Sequence, residues 1–308
     1  MEISLLLFMK ISSLFIMMFM GYILVKLGKI KPEDSRGISM VLLYLVMPCV
    51  ILNAFQVDYT REKVQGLILA FVAAVIVHVI LFAVTYAMQP LLKFNEVEKA
   101  SVIYSNAGNL IIPIIVSVLG EEWVLYSSAY ICVQLVLVWT HCNSMMCGDR
   151  RINLKKILTN INIIAMLAGV ILFISGLRFP SVIADTISSI SGIVGPVSMF
   201  VGGILFAGID MKKVFTGRRI YLVTALRMII FPLIILVVFK ITGLSSMAYN
   251  GETILLVSFL ASIAPTASTV TQMSQIYDKD AGYASAINVI TTVLCIVTMP
   301  LMVFLYMV

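Results

Sequence analysis

The residues best able to do chemistry in this chain lie where water is scarcest. "SNAGNLIIPII", residues 105–115, sets Ser105, Asn106, Gly108, Asn109 and Pro113 inside an otherwise apolar run. A second run carries "SIAPTAST", with Ser262, Pro265, Thr266, Ser268 and Thr269. A proline within a helix lacks an N–H and frees the carbonyl four residues back, so Pro113 is predicted to free Asn109 and Pro265 to free Ala261. Where such helices unwind, their second halves begin afresh, each with unpaired N–H groups and roughly +0.5 of an elementary charge. Two such ends facing each other suit an anion such as a carboxylate. Asn106 adds side-chain donors without a fixed charge, which suits a ligand that must later leave. Its other reading is a hydrogen bond between helices, and that is the preferred reading for Asn109.

Ionisable and amide groups elsewhere in the apolar runs carry paired readings. His78 is either a proton carrier or a neutral packing residue bonded to a neighbouring helix. Arg227 either offsets the charge of a bound anion or snorkels to the headgroups, and Lys10 has the same ambiguity. Gln134 and Asn288 either line the meeting point of the two unwound helices or bridge neighbours. Asp58, Asp185 and Asp210 fall at the ends of runs, so no carboxylate stands ready for proton or sodium exchange. Cys49, Cys132, Cys142, Cys147 and Cys295 show no ligand spacing and read as packing residues, so neither a metal site nor a cofactor is expected. His78 and His141 belong to different runs without an acidic partner, which argues against an enzyme.

The elements that must position these residues are membrane helices. The 308 residues are 61% hydrophobic and 12% charged, with a mean hydropathy of +1.08, far from soluble domains. Runs of roughly 20 apolar residues number ten, near 5–27, 38–56, 64–90, 98–119, 123–143, 157–177, 187–209, 219–241, 252–276 and 282–306. The first run has no basic leader or clear cleavage site and reads as a retained helix. Fifteen of the 21 Lys and Arg fall in the loops after runs 1, 3, 5, 7 and 9, and four in the alternate loops. By the positive-inside rule the odd loops are cytoplasmic and both termini extracytoplasmic. The net charge of +6 sits in "KLGKIKPEDSR", "GDRRINLKK" and "MKKVFTGRR", which read as lipid-headgroup anchors rather than a nucleic-acid surface. Gly192, Gly195, Gly202 and Gly203 in run 7 read as close helix packing. Pro90, Pro232 and Pro300 read as ordinary kinks.

The halves follow one plan. At an offset of 157, "GEEWVLYSSAYICV" (120–133) lies against "YDKDAGYASAINVI" (277–290), and Gly108 falls on Pro265; at 148, Pro48 falls on Pro196. Helix breakers thus recur in the second and fourth run of each five. Because five is odd, repeats over 1–145 and 155–308 have opposite orientations, an inverted repeat of the kind found in secondary transporters.

"NAGNLIIP", "APTAST" and "YDKDAGYASAINVITTVLCIVTMPL" resemble the auxin efflux carrier family of membrane transporters, and the likeness extends along the whole chain. The family pattern Asn-x-Gly-x-x-Gly-x-Pro is met by Asn106, Gly108 and Pro113, while Ile111 stands at the second glycine. The short loop between halves is similar to bacterial-type members of this bile acid/auxin carrier superfamily. The resemblance implies an all-α polytopic membrane protein of ten transmembrane helices in a five-plus-five inverted repeat, with broken helices 4 and 9 crossing at the midplane. It implies a single transporter unit over 1–308, a scaffold of helices 1, 2, 6 and 7, and a mobile transport domain of helices 3–5 and 8–10. The implied activity is alternating access of elevator type for a small organic anion, with Asn106 near its carboxylate and Gly108, Asn109, Pro113, Ser262, Pro265 and Thr266 around it. The alternative is a sodium-coupled organic anion symporter of bile-acid-carrier type. The expected setting is the cell membrane, with homodimerisation left open.

Overall fold

The structure, a computed structural model, describes residues 2–148, 155, 158–208 and 217–308. Most of "GDRRINLKK" and "MKKVFTGRR", and Asp210 with them, lie outside the described residues. Among the described residues twelve helices follow one another: α1 (Glu2–Lys26), α2 (Pro32–Ala54), α3 (Arg61–Leu92), α4 (Glu96–Ile103), α5 (Ala107–Val118), α6 (Glu121–Cys147), α7 (Ile161–Ser175), α8 (Ser181–Ala207), α9 (Arg218–Thr242), α10 (Gly251–Ile263), α11 (Ser268–Ile276) and α12 (Ala281–Met307). Among the described residues there is no strand, only one isolated backbone bridge. Seven of the helices, α1, α2, α3, α6, α8, α9 and α12, are long and apolar enough to cross a membrane. The chain is an all-helical, multi-pass membrane protein.

The expected fourth and ninth runs are each divided in two, as α4 with α5 and α10 with α11. The expected sixth run is the 15-residue α7, which starts at Ile161 because Asn160 caps it by accepting from the N–H groups of Asn162 and Ile163. Similar signals bound other helices. Thr60 accepts from the Lys63 N–H to open α3, and Asn95 and Glu98 form a reciprocal capping box at the start of α4. Asp280 accepts from the Tyr283 N–H at the start of α12.

Three prolines leave a common trace. Pro48, Pro113 and Pro232 each stand at the second position of a regular α segment that follows a π-helical turn, at Leu42–Val46, Ala107–Ile111 and Leu226–Ile230. A proline ring clashes with the carbonyl four residues back and cannot donate to it, and a widened turn relieves both demands. Pro90 and Pro300 sit in uninterrupted helix.

Two sets of helices pack internally. The α1 helix lies along α8, and α2 lies against α7 and α8. The α1–α8 contact is backbone on backbone: a Cβ on Gly203 would overlap the Met18 carbonyl oxygen, and one on Gly21 would stand 2.6 Å from the Phe200 oxygen. Phe55 and Phe173, ring centroids 6.4 Å apart, join α2 to α7. The second set comprises α3, α4, α6 and α9–α12. Glu98, fully buried, ties four of its members: it accepts from Arg219 Nε of α9 at 2.6 Å and from Tyr283 Oη of α12 at 2.8 Å, while Arg219 also donates to the Leu92 and Lys93 carbonyls at the end of α3. Between the sets, α1 packs on α5 and α12, α8 on α5 and α2 on α6.

Candidate functional site

The unwound segments lie at 104–106 and 264–267. Tyr104 leaves α4 in extended conformation (φ −97°, ψ 128°), and Ala264 leaves α10 likewise (φ −58°, ψ 156°). The two segments meet as a short antiparallel bridge centred on Ser105 and Thr266. Asn106 N–H donates to Pro265 O at 2.8 Å, and Ala267 N–H donates to Tyr104 O at 3.0 Å. Each break thereby satisfies part of the other's backbone, which apolar surroundings require.

The peptide groups of Ser105 and Thr266 are met from α6 and α12. Gln134 of α6 accepts from Ser105 N–H (3.0 Å) and Ser105 Oγ (2.8 Å) and donates to Ser105 O (2.8 Å). Asn288 of α12 donates to Thr266 O at 2.6 Å, and Thr291 Oγ accepts from Thr266 N–H at 3.2 Å. Gln134 and Asn288 therefore do both things that the sequence left open, bridging helices in order to hold the meeting point.

The break in the expected fourth run is not at Pro113. It lies upstream, and Pro113 is absorbed by the π turn that opens α5. The bridge opposes Ser105 to Thr266. Pro265 does lie within its break.

Asn106 is partly exposed, and its side chain makes no hydrogen bond to the protein among the described residues. Asn109 reaches across to Ser268 Oγ at 3.5 Å, joining α5 to α11. A Cβ on Gly108 would stand 3.4 Å from Met47 Cε of α2, and Gly195 of α8 faces Pro113. Ile111 is fully buried. The hydroxyls of Ser262 and Thr266 are committed within the protein, to Phe259 O and Ser101 O. His78 is buried with Nδ1 against Ala74 O of its own helix at 2.7 Å and its ring 4.9 Å from that of Tyr130. Among the described residues its Nε2 has no hydrogen-bond partner.

Arg227 is the least expected member. It neither snorkels nor faces an open site: it is fully buried. Its guanidinium donates to Val102 O at the end of α4 (3.1 Å) and to Ser262 O (2.7 Å) and Ala264 O (2.7 and 3.1 Å) at the end of α10. Sequence reasoning also missed the chain Tyr86–His141–Tyr104, in which both ring nitrogens of His141 meet tyrosine hydroxyls at 2.7 and 2.8 Å. Thr291 and Glu98 were missed too. The capping pattern of Asn95 and Glu98 was visible, but the partner Arg219 comes from a remote helix.

A cavity of about 150 Å³ opens between α1, α2, α5, α6 and α8, with Asn53, Pro113, Ser117, Glu121, Ser191 and Gly195 in its walls. Asn53 and Glu121 are hydrogen-bonded at 3.4 Å. Of the residues singled out from the sequence for substrate, it reaches Pro113, while Asn106 and Gly108 are not in its walls.

None of the curated proteins compared with the chain matches it. A family model described as membrane transport protein matches residues 6–153 and 143–303, nearly the whole chain. That match falls on both unwound segments and the helices that hold them, and the protein belongs to the membrane transport protein family, that of the auxin efflux carriers.

Proposed function

We propose that the protein is a secondary carrier of a small organic anion, a carboxylate, working by alternating access of elevator type. The observation that carries this reading is the reciprocal bridge between two broken helices. It starts α5 and α11 beside each other, with the amide of Asn106 unbonded. Helix N-termini and neutral amide donors attract a carboxylate without the irreversible hold of a fixed countercharge.

In this reading α4 with α5 forms the fourth of ten spans and α10 with α11 the ninth, in a five-plus-five inverted repeat within the cell membrane, both termini extracytoplasmic. The α1, α2, α7 and α8 helices form the scaffold, and α3–α6 with α9–α12 form the moving domain. The tight packing inside each set supports that division, as does the cavity between α5 and α8. Transport in proteoliposomes tests the proposal, using a panel of labelled mono- and dicarboxylates. Uptake of at least one is expected, with Asn106→Ala reducing it tenfold or more while leaving the thermal unfolding midpoint unchanged. No uptake of any panel member would remove the carrier reading; a variant as active as the parent would remove Asn106 from the site.

A further inference from the structure

The α4 and α10 helices stop side by side, and a stopped helix leaves carbonyls pointing outward with roughly half a negative charge at its end. Val102, Ser262 and Ala264 contribute such carbonyls, and they converge on one position from two helices. Oxygen nests of this kind, made of unwound backbone and half-helix C-termini, are where transporters hold sodium. Here the position is filled by the chain itself. Arg227 reaches it from a third helix, α9, out of the wide turn Leu226–Ile230 that precedes Pro232. Among the described residues no carboxylate pairs with Arg227. Its charge is balanced by the two helix ends alone, which together supply about one negative unit.

We infer that Arg227 is a resident cation: it occupies the nest in which an alkali cation would otherwise bind, and its removal opens a latent cation site. A tethered guanidinium cannot dissociate, so the charge at the meeting point stays constant, and no alkali cation is needed to neutralise the helix ends. The consequence for transport, indifference to sodium, rests on the carrier reading. The occupancy of the nest does not.

Thermal unfolding of the purified protein in detergent tests the inference without any substrate. Parent and Arg227→Ala protein are compared in choline chloride, with choline replaced by sodium, lithium or millimolar methylguanidinium at constant ionic strength. The parent is expected to unfold at the same temperature in choline and sodium. The variant is expected to unfold several degrees lower and to regain stability when methylguanidinium or an alkali cation fills the nest, as binding to the native state alone requires. Sodium-specific stabilisation of the parent would overturn the inference. So would a variant as stable as the parent, or one that responds to none of the three cations. Should Arg227→Ala not be recovered folded, the parent's response decides, together with Arg227→Lys, which is expected to remain indifferent to sodium. Absence of anion uptake by a parent with this thermal behaviour would count against the carrier reading and leave the resident cation standing.

Discussion

At the scale of single residues, the unwound backbone poses a simple accounting problem: every freed N–H and C=O needs a partner that the helix no longer supplies. A carboxamide is suited to the task because it carries a donor and an acceptor together, and Gln134 uses both on Ser105. Replacing Gln134 by Leu would leave two buried peptide groups unpaired, at about 1–3 kcal/mol each. The unfolding midpoint of Gln134→Leu is therefore expected to fall well below that of Asn288→Leu, since Thr291 still accepts from the Thr266 N–H in the latter. Equal midpoints for the two variants would contradict this account. The residue types at issue were legible in the sequence, because amides inside apolar runs demand an explanation. Their duties were not: hydrogen bonding to peptide groups on another helix leaves no mark in local spacing. Arg227 shows the same limit. Both of its sequence readings looked outward, to lipid or substrate, whereas its partners are carbonyls of two distant helix ends.

At the scale of elements, prolines announce helix disturbance but not its form. The ring removes only the hydrogen bond to the carbonyl four residues back, and the chain answers with a π turn at Pro48, Pro113 and Pro232, with full unwinding at Pro265 and with uninterrupted helix at Pro90 and Pro300. Which answer is taken depends on whether other groups stand ready to satisfy an opened backbone. Gln134, 29 residues from Ser105, serves the break at 104–106, so the helix opens there rather than at Pro113. Glycines are subject to the same dependence on neighbours. Of the series in α8, Gly203 has the Met18 backbone against it, while a Cβ on Gly192 would meet no other described residue within 4 Å. Gly203→Ala is expected to cost about 1–3 kcal/mol through the forced separation of α1 and α8, whereas Gly192→Ala is expected to be neutral or slightly stabilising. Denaturant unfolding of both variants checks the contrast, and similar losses at the two positions would refute it.

At the scale of the whole molecule, the proposed elevator requires α5 to slide past α8. A Cβ on Gly195 would stand 3.4 Å from Pro113 Cβ, near the separation that a disulfide needs. The double variant Gly195→Cys with Pro113→Cys, in a background without the five native cysteines, is expected to stop anion uptake when oxidised and to recover it on reduction. Uptake that persists in the cross-linked protein would exclude relative motion of these two helices. The sequence by itself determined the solvent, the helical class, the place of the helix breakers and the family. Each of these follows from local quantities: apolar run length, charge between runs, proline's missing N–H and a contiguous motif. Tertiary structure alone decided that the break precedes Pro113, that Ser105 opposes Thr266 and that a buried arginine closes the two helix ends. The physical reason is that a hydrogen bond released in one helix can be recovered only from whichever helix lies alongside, and adjacency in space is not written in any one stretch of chain.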